Sequence, residues 1–284
     1  MSTAASTTAP ARPAHGTLPS PLRLAVGRTG LELKEFFRER DAVVFIFAYP
    51  ILMMAIFATV FDGQVQSDGT ISVEFAQYFL PGILATGIML SSFQTIAIDL
   101  AVQRDTGALK RLRGTPLPPV SFFLGKVGQV LVNTAVQVGL LLTLAFVVYD
   151  VPVPDASHWA TFAWVLVLGT ATGTICGVGF SSLPRTGKSA SAVVTPVVLV
   201  LQFISGVFFP FYSLPEWMQS LASVFPLKWM AQGMRAAFLP DGAASLEPAG
   251  SWELGTTAAI LCAWLLLGLV VGVRTFRWRR RDDG

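Results

Sequence analysis

The sequence predicts an all-α polytopic membrane protein with six transmembrane helices, an N-terminal interfacial helix and short amphipathic helices before the last span. Three observations lead there. Of 284 residues, 53% are hydrophobic and only 13% charged, against about 25% charged in a soluble domain. The apolar residues gather into six blocks, each close to the roughly 20 residues a helix needs to cross a hydrocarbon core about 30 Å thick. Finally, 18 of the 20 Lys and Arg residues fall in alternate connecting segments, the bias expected of cytoplasmic loops. A helical bundle is expected rather than a barrel. Backbone groups in lipid must bond within their own segment, and the sequence lacks the repeated ten-residue alternation of barrel strands.

Residues 1–21 are rich in Ser, Thr, Ala and Pro, too polar to build a core, and read as a disordered cytoplasmic N-terminus. They do not read as a secretory leader, because the first apolar run begins only at Ala42 and is long enough to span. Between them, residues 22–40 place Leu22, Val26, Leu33 and Phe37 near one helical face, with Arg23, Arg28, Glu35 and Arg38 elsewhere. That is the pattern of a helix lying on a leaflet. A plain basic anchor is the simpler alternative, and Gly27 and Gly30 weaken the helix.

The spans are expected at about 42–61, 79–98, 127–149, 159–183, 191–210 and 256–273, within a membrane domain covering 22–273. Pro50, Pro81 and Pro196 are placed to kink the first, second and fifth. The basic residues lie in segments 1–41, 99–126, 184–190 and 274–284; the opposite connections hold only Lys228 and Arg235. Both termini are therefore expected in the cytoplasm, which an even number of spans requires. The tail 274–284 reads as a lipid-facing anchor rather than a nucleic-acid arm.

Few polar groups enter the spans. Gln94, Asn133, Gln137 and Gln202 are candidates for a substrate pathway, with interhelical hydrogen bonding as the plainer role. Asp99 is expected in water at the end of the second span. No Asp, Glu, Lys or Arg sits mid-span, which argues against an ion-coupled transporter. Gly169, Gly173 and Gly177 form a small-residue stripe suited to close helix approach, within the chain or with a second copy. The two cysteines, Cys176 and Cys262, lie inside apolar blocks and the two histidines, His15 and His158, are isolated. Neither a disulfide framework nor a metal site is expected, and no catalytic constellation appears. In segment 211–255, Trp217, Leu221 and Phe225 repeat at i, i+4, i+8, and Met230, Met234 and Phe238 do so after Pro226. Two short helices are expected at the outer interface or dipping into it. Lys228 and Arg235 read as snorkelling to that interface, or as contacts for an anionic substrate.

The segment 101–126, AVQRDTGALKRLRGTPLPPVSFFLGK, is the longest internal basic connection. Its first half can form a short helix, which Thr115-Pro116 and Pro118-Pro119 end. Such a helix is either an anchor or a place where a soluble partner pushes. Gln103-Arg104-Asp105-x-Gly107 with Leu109, then Thr115-Pro116-Leu117 and Gly125-Lys126, resembles the cytoplasmic loop of type 2 ATP-binding-cassette (ABC-2) export permeases, which commonly reads E-R-E-x-G-T-L, T-P-L and G-K. A second stretch is similar to the same family: Ser205-Gly206-Val207-Phe208-Phe209-Pro210, Leu214-Pro215-x-Trp217, Pro226-Leu227 and Arg235. The daunorubicin-resistance drug-export type is the nearest.

The resemblance implies a multi-pass permease of a bacterial plasma membrane that moves an amphipathic drug-like or lipid-like substrate out of the cytoplasm. It implies that ATP and Mg are bound by a separate ABC ATPase subunit and that this chain itself binds no cofactor. Two permease chains, identical or different, would pair within membrane lipid, and nucleic acid is not an expected partner. Gln103, Arg104, Asp105, Gly107, Leu109 and Arg113 would lie in the helix that docks on the ATPase, and Phe208, Phe209 and Trp217 near an outer gate. Gln103 and Asp105 stand where glutamates are common, and Ala108 and Lys110 where Thr and Glu are common, so the charge offered to a partner is altered. The stretch most like a phosphate-binding loop, 182–189, has Ser182 in place of its first Gly, contains Pro184 and sits in a short turn between spans where no strand–helix unit fits. A non-transporting scaffold or regulator and a secondary transporter are the alternatives.

Overall fold

The computed structural model describes residues 20–61, 65–67 and 72–276. Most of the Ser/Thr/Ala/Pro-rich stretch 1–21 and of the tail 274–284 therefore lies outside the described residues. Helix α1 (Pro21–Arg38) starts at Ser20, whose hydroxyl caps the first turn, with Pro21 at the first helical position, the place where a missing N–H costs nothing. Helix α2 (Arg40–Val60) follows directly. Two three-residue strands, β1 (Val65–Ser67) and β2 (Ser72–Glu74), then pair antiparallel with Val65 opposite Glu74.

The second membrane helix is longer than its apolar run. Helix α3 (Phe75–Met89), a π turn at Leu90–Gln94 and helix α4 (Thr95–Asp105) continue one another over 31 residues. The Thr95 hydroxyl donates to the Leu90 carbonyl at 2.9 Å, bonding a carbonyl of the widened turn. Beyond a short helix α5 (Ala108–Arg113) come α6 (Pro119–Val148), α7 (Ala156–Phe180) and α8 (Gly187–Ile204). Helices α9 (Glu216–Val224) and α10 (Pro226–Phe238) precede the last span, α11 (Leu254–Thr275). Counting α3 to α4 as one, six helices among the described residues are long and apolar enough to cross a membrane, so the fold is the all-α polytopic one expected.

The α3–α4 helix is the axis of the bundle. Its apolar window is 89% buried, against 28% for α2 and 22% for α11, whose outer faces are left for lipid. The Gly169–Gly173–Gly177 stripe is consumed inside the chain. Gly169 faces Met230 of α10, and Gly177 lies so close to the π turn that an added Cβ would stand 2.8 Å from the Phe93 carbonyl. The fifth helix stops at Ile204 rather than running to 210, because the chain turns at Gly206, which has φ +71°.

Of the two placements expected for helix α10, at the outer interface or dipping into it, the structure shows a buried helix. Every residue from Pro226 to Phe238 is buried, and the helix packs against α3, α7 and α11. Lys228 and Arg235 consequently do not snorkel. The Arg235 guanidinium, 1% exposed, donates to Glu247 at 2.7 Å and to the Gly206 carbonyl. The Lys228 ammonium donates to Gln232 and stands 3.6 Å from the Trp229 ring centre. A buried cation left without partners would cost several kcal/mol. Residues 206–247 double back on themselves around α9 and α10, and this hairpin brings Glu247 and the Gly206 carbonyl to the two terminal nitrogens of Arg235, leaving its Nε without a partner.

Candidate functional site

At the end of α4 the chain makes a sharp corner. Gly107 adopts φ +72°, a left-handed conformation that a side chain makes unfavourable by about 1–2 kcal/mol, and α5 leaves from it. Leu109 is fully buried and fixes α5 to Ile96, Leu100, Phe122 and Val130. Arg104 donates to the carbonyls of Ser181 at 2.8 Å and Pro184 at 3.1 Å, in the turn between α7 and α8. The Asp105 carboxylate accepts from the Gly187 N–H at 3.0 Å, where the positive end of the α8 dipole favours an anion. The stretch with a faint likeness to a phosphate loop is thus that turn plus a capping box, in which Thr186 and Ser189 bond each other's backbone N–H.

The residues expected to dock a partner therefore divide by role. Arg104 and Asp105 clamp the corner to α8, Gly107 bends it and Leu109 anchors it. Gln103 turns inward instead, 4% exposed, and donates to Asp99 at 2.9 Å. Arg113 is exposed on the outer side of α5 together with Lys110 and Arg111.

Behind the corner lies a buried group of charges. Lys126 of α6, 2% exposed, donates to both Glu32 of α1 and Asp99 of α4, and Arg28 pairs with Glu32 one turn away. Asp99 is accordingly an ion-pair partner with a side chain 25% exposed, not a freely solvated end residue. Helix α1 approaches α6 at Gly125, where a Cβ would fall 2.5 Å from the Arg28 side chain. The Gly125-Lys126 pair thus has two jobs: Gly125 admits α1, and Lys126 holds it. Leu22, Val26 and Phe37 of α1 are exposed, and so are Arg23, Lys34, Glu35 and Arg38, while Ala25 and Phe36 are buried together with Glu32, so the outer face mixes apolar and charged side chains, as suits a helix at a lipid–water boundary. Glu32, Asp99 and Lys126 were detectable as opposite charges flanking three separate apolar runs, but nothing local pairs them.

Next to this group is a cavity of about 420 Å³ between the α1–α2 corner, α4, α6 and α8. Five carboxylates line it: Glu32, Glu35, Glu39, Asp41 and Asp99. Phe36, Phe45, Ile46 and Ile98 supply apolar wall. The Glu39 carboxyl is held above its ordinary pKa, first by partial burial, then by the charges of Asp99 and Glu35, with Lys126 opposing. Gln94 and Gln129 also line the space.

The four amides of the spans do not surround one space. Gln137 accepts from Ser91 and donates to the Ile46 carbonyl at 2.9 Å, and Gln202 accepts from Tyr49 at 2.8 Å, so these two tie α2 to α6 and to α8. Asn133 is buried beside them in sequence, with neither amide atom bonded. Gln94 alone of the four faces the cavity. At the far end, Phe208 is buried among Phe57, Phe79 and Phe203, with ring centres 5.8, 6.4 and 5.0 Å away. Phe209 and Trp217 are 51% and 65% exposed. His158 bonds the α7 cap Asp155 at 2.7 Å and holds that carboxyl below its ordinary pKa. Among the described residues no group of three metal-ligating side chains occurs.

Known proteins are similar to this chain in sequence over about two thirds of its length. The inner membrane transport permease YadH of Escherichia coli strain K12 is 24% identical over 192 residues, 67% of this chain and 74% of that protein. The putative transport permease YvfS of Bacillus subtilis strain 168 is 22% identical over 199 residues, 69% and 77% of the two chains. The probable multidrug ABC transporter permease YbhR of Escherichia coli strain K12 is 22% identical over 183 residues, 64% of this chain but only 49% of that protein. The family described as ABC-2 type transporter matches residues 29–239, from the inward face of α1 through the buried hairpin. This chain therefore belongs to the ABC-2 type transporter family and is a multi-pass membrane subunit of a transporter.

Proposed function

We propose that the chain is the permease of an ABC exporter in a bacterial plasma membrane, with both termini in the cytoplasm and energy supplied by a separate ATPase that binds ATP and Mg. Two permease chains, identical or sister, form the pathway, and an amphipathic substrate leaves the cytoplasm through it. The observation that carries this reading is the corner at Gly107. It offers Lys110, Arg111 and Arg113 outward and is clamped by Arg104 and Asp105 to the start of α8. A push on α5 passes through Leu109 to α4 and through the clamp to α8, both of which wall the acidic cavity. That is a rigid-body route from a docking surface to a pathway. Gln94 belongs to the inner part of the route and Phe208 to an aromatic gate at the far end, with Phe209 and Trp217 at its rim. The names of YadH and YbhR as transport permeases support this assignment. Exchanging the clamp charges, Arg104→Asp with Asp105→Arg, should abolish ATP-driven efflux while membrane insertion and copurification of the ATPase persist. Undiminished efflux from that variant defeats the coupling role.

A further inference from the structure

We propose that the contact between α6 and the α3–α4 helix is a polar seam that parts to admit water from the neighbouring cavity, bonded at its two ends and unpaired in its middle. That ATP drives the parting rests on the exporter reading above; the parting itself does not. Lys126, Gln129, Asn133 and Gln137 of α6 are spaced three, four and four residues apart, so they form one stripe roughly 16 Å long. Each is at most 2% exposed. At the corner end Lys126 donates to Asp99 of α4. At the other end Gln137 accepts from Ser91 of the π turn and packs on Gly87, where an added Cβ would stand 3.0 Å from the Gln137 amide. These two contacts fix the antiparallel register of the helices. Gln129 and Asn133 are thereby set opposite the stretch between Ser91 and Asp99, which holds Gln94.

Bonding fails between those ends. Among the described residues neither amide atom of Asn133 has a partner, nor do the amide oxygens of Gln94 and Gln129. Each of these atoms has under 1 Å² of accessible surface, which leaves no room for a water beside it. A buried polar atom left unpaired costs free energy that a paired one does not, so the closed seam carries a penalty that its bonded ends offset. A contact serving only as glue between helices would be bonded along its length, whereas this one gains hydrogen bonds by parting. The water it needs is close. Gln94, Thr95, Asp99 and Gln129 belong to the wall of the cavity of about 420 Å³, and Asn133, one turn beyond Gln129, does not reach it. Ser91 and Gln94 both sit on the π turn, a form that occurs often at functional sites in helices.

The reporter is Ser91→Cys, a near-isosteric change at a fully buried position, in a chain whose Cys176 and Cys262 are replaced by alanine. The chain, assembled with its ATPase in lipid nanodiscs, is exposed to a charged methanethiosulfonate, which reacts with a thiol only in water. Leu141→Cys, one turn beyond Gln137 on α6 and equally buried, is the control. Ser91→Cys should label about ten-fold faster than the control or more, and faster with ATP than without. Asn133→Leu removes the unpaired amide and should slow that labelling about ten-fold. In the chain with native Ser91, Asn133→Leu should also raise the thermal midpoint, which keeps the idea testable if the cysteine variant does not fold. Labelling no faster than the control in any nucleotide state, labelling indifferent to Asn133→Leu, or a lowered midpoint overturns the proposal; ATP-driven efflux that persists alongside leaves the exporter reading standing. Labelling that Asn133→Leu slows but ATP leaves unchanged keeps the seam and counts against ATP as its driver.

Discussion

The two ends of the molecule each bury a basic side chain against acid, and they do so differently. At the hairpin end, Arg235 meets Glu247, only 12 residues away, and the Gly206 carbonyl, all within the segment that closes α10 onto the bundle. At the corner end, Lys126 meets Glu32 and Asp99, 94 and 27 residues away, on three separate helices. The first is a local staple, sealed from solvent on both sides of the pair. The second is a joint between elements that have no other covalent reason to move together, and it borders an open cavity with unmatched carboxylates. Charge closes a local segment at one end and links separate helices at the other.

The sharpest way to break this contrast is to remove each cation. Arg235→Ala strands a buried carboxylate and should cost about 3–5 kcal/mol, seen as a large drop in thermal stability in detergent and loss of the folded hairpin. Lys126→Ala should cost less, about 1–3 kcal/mol, because Asp99 keeps some access to water. Hydrogen exchange should locate the damage in α1, which loses its inner partner. Neutralising the whole trio, Glu32→Gln, Lys126→Gln and Asp99→Asn, should recover most of that stability yet leave ATP-driven efflux impaired. Full recovery of efflux would show that the group is only a staple.

Smaller effects refine the same distinction. Gly125→Leu forces α1 away from α6, and overpacking of this kind costs about 1–3 kcal/mol. Faster exchange confined to α1 is the expected readout. Gly107→Ala places a side chain in a left-handed turn, a penalty of about 1–2 kcal/mol, so efflux should fall more than thermal stability does. Trp217→Ala, at an exposed position, should shift stability by under about 0.5 kcal/mol. A large destabilisation there would mean that the α9 rim bears on the hairpin core.

The sequence was informative in proportion to how local each signal is. Runs of about 20 apolar residues disclose spans, and the Pro-rich stop after Arg113 discloses the short helix, because both are written in consecutive residues. The ion trio is not. Lys126 looks like a loop anchor, Asp99 like a solvated end and Glu32 like one more polar residue of a surface helix, and only tertiary contact joins them. Lys228 and Arg235 mislead for the same reason, since a charge near a hairpin that turns back into protein has the same neighbours in sequence as one that reaches water. The corner was not legible, since residues 103–113 read as one helix that the left-handed Gly107 in fact divides, and the roles of the flanking charges were hidden as well. Gln103 serves Asp99, and Asp105 serves the first turn of a helix 82 residues on.

The widened turn at Leu90–Gln94 holds one residue more than an α turn would, a surplus link absorbed inside a continuous helix. Wound uniformly as α-helix, the same residues would carry everything below by about 100° of phase and 1.5 Å of advance. Asp99 would then swing away from α6 and the clamp residues away from the start of α8. Shortening that turn by one residue is thus a gentler lesion than lengthening it, because the wider winding, by taking up the spare link, already keeps the lower half of the rod in step with its neighbours.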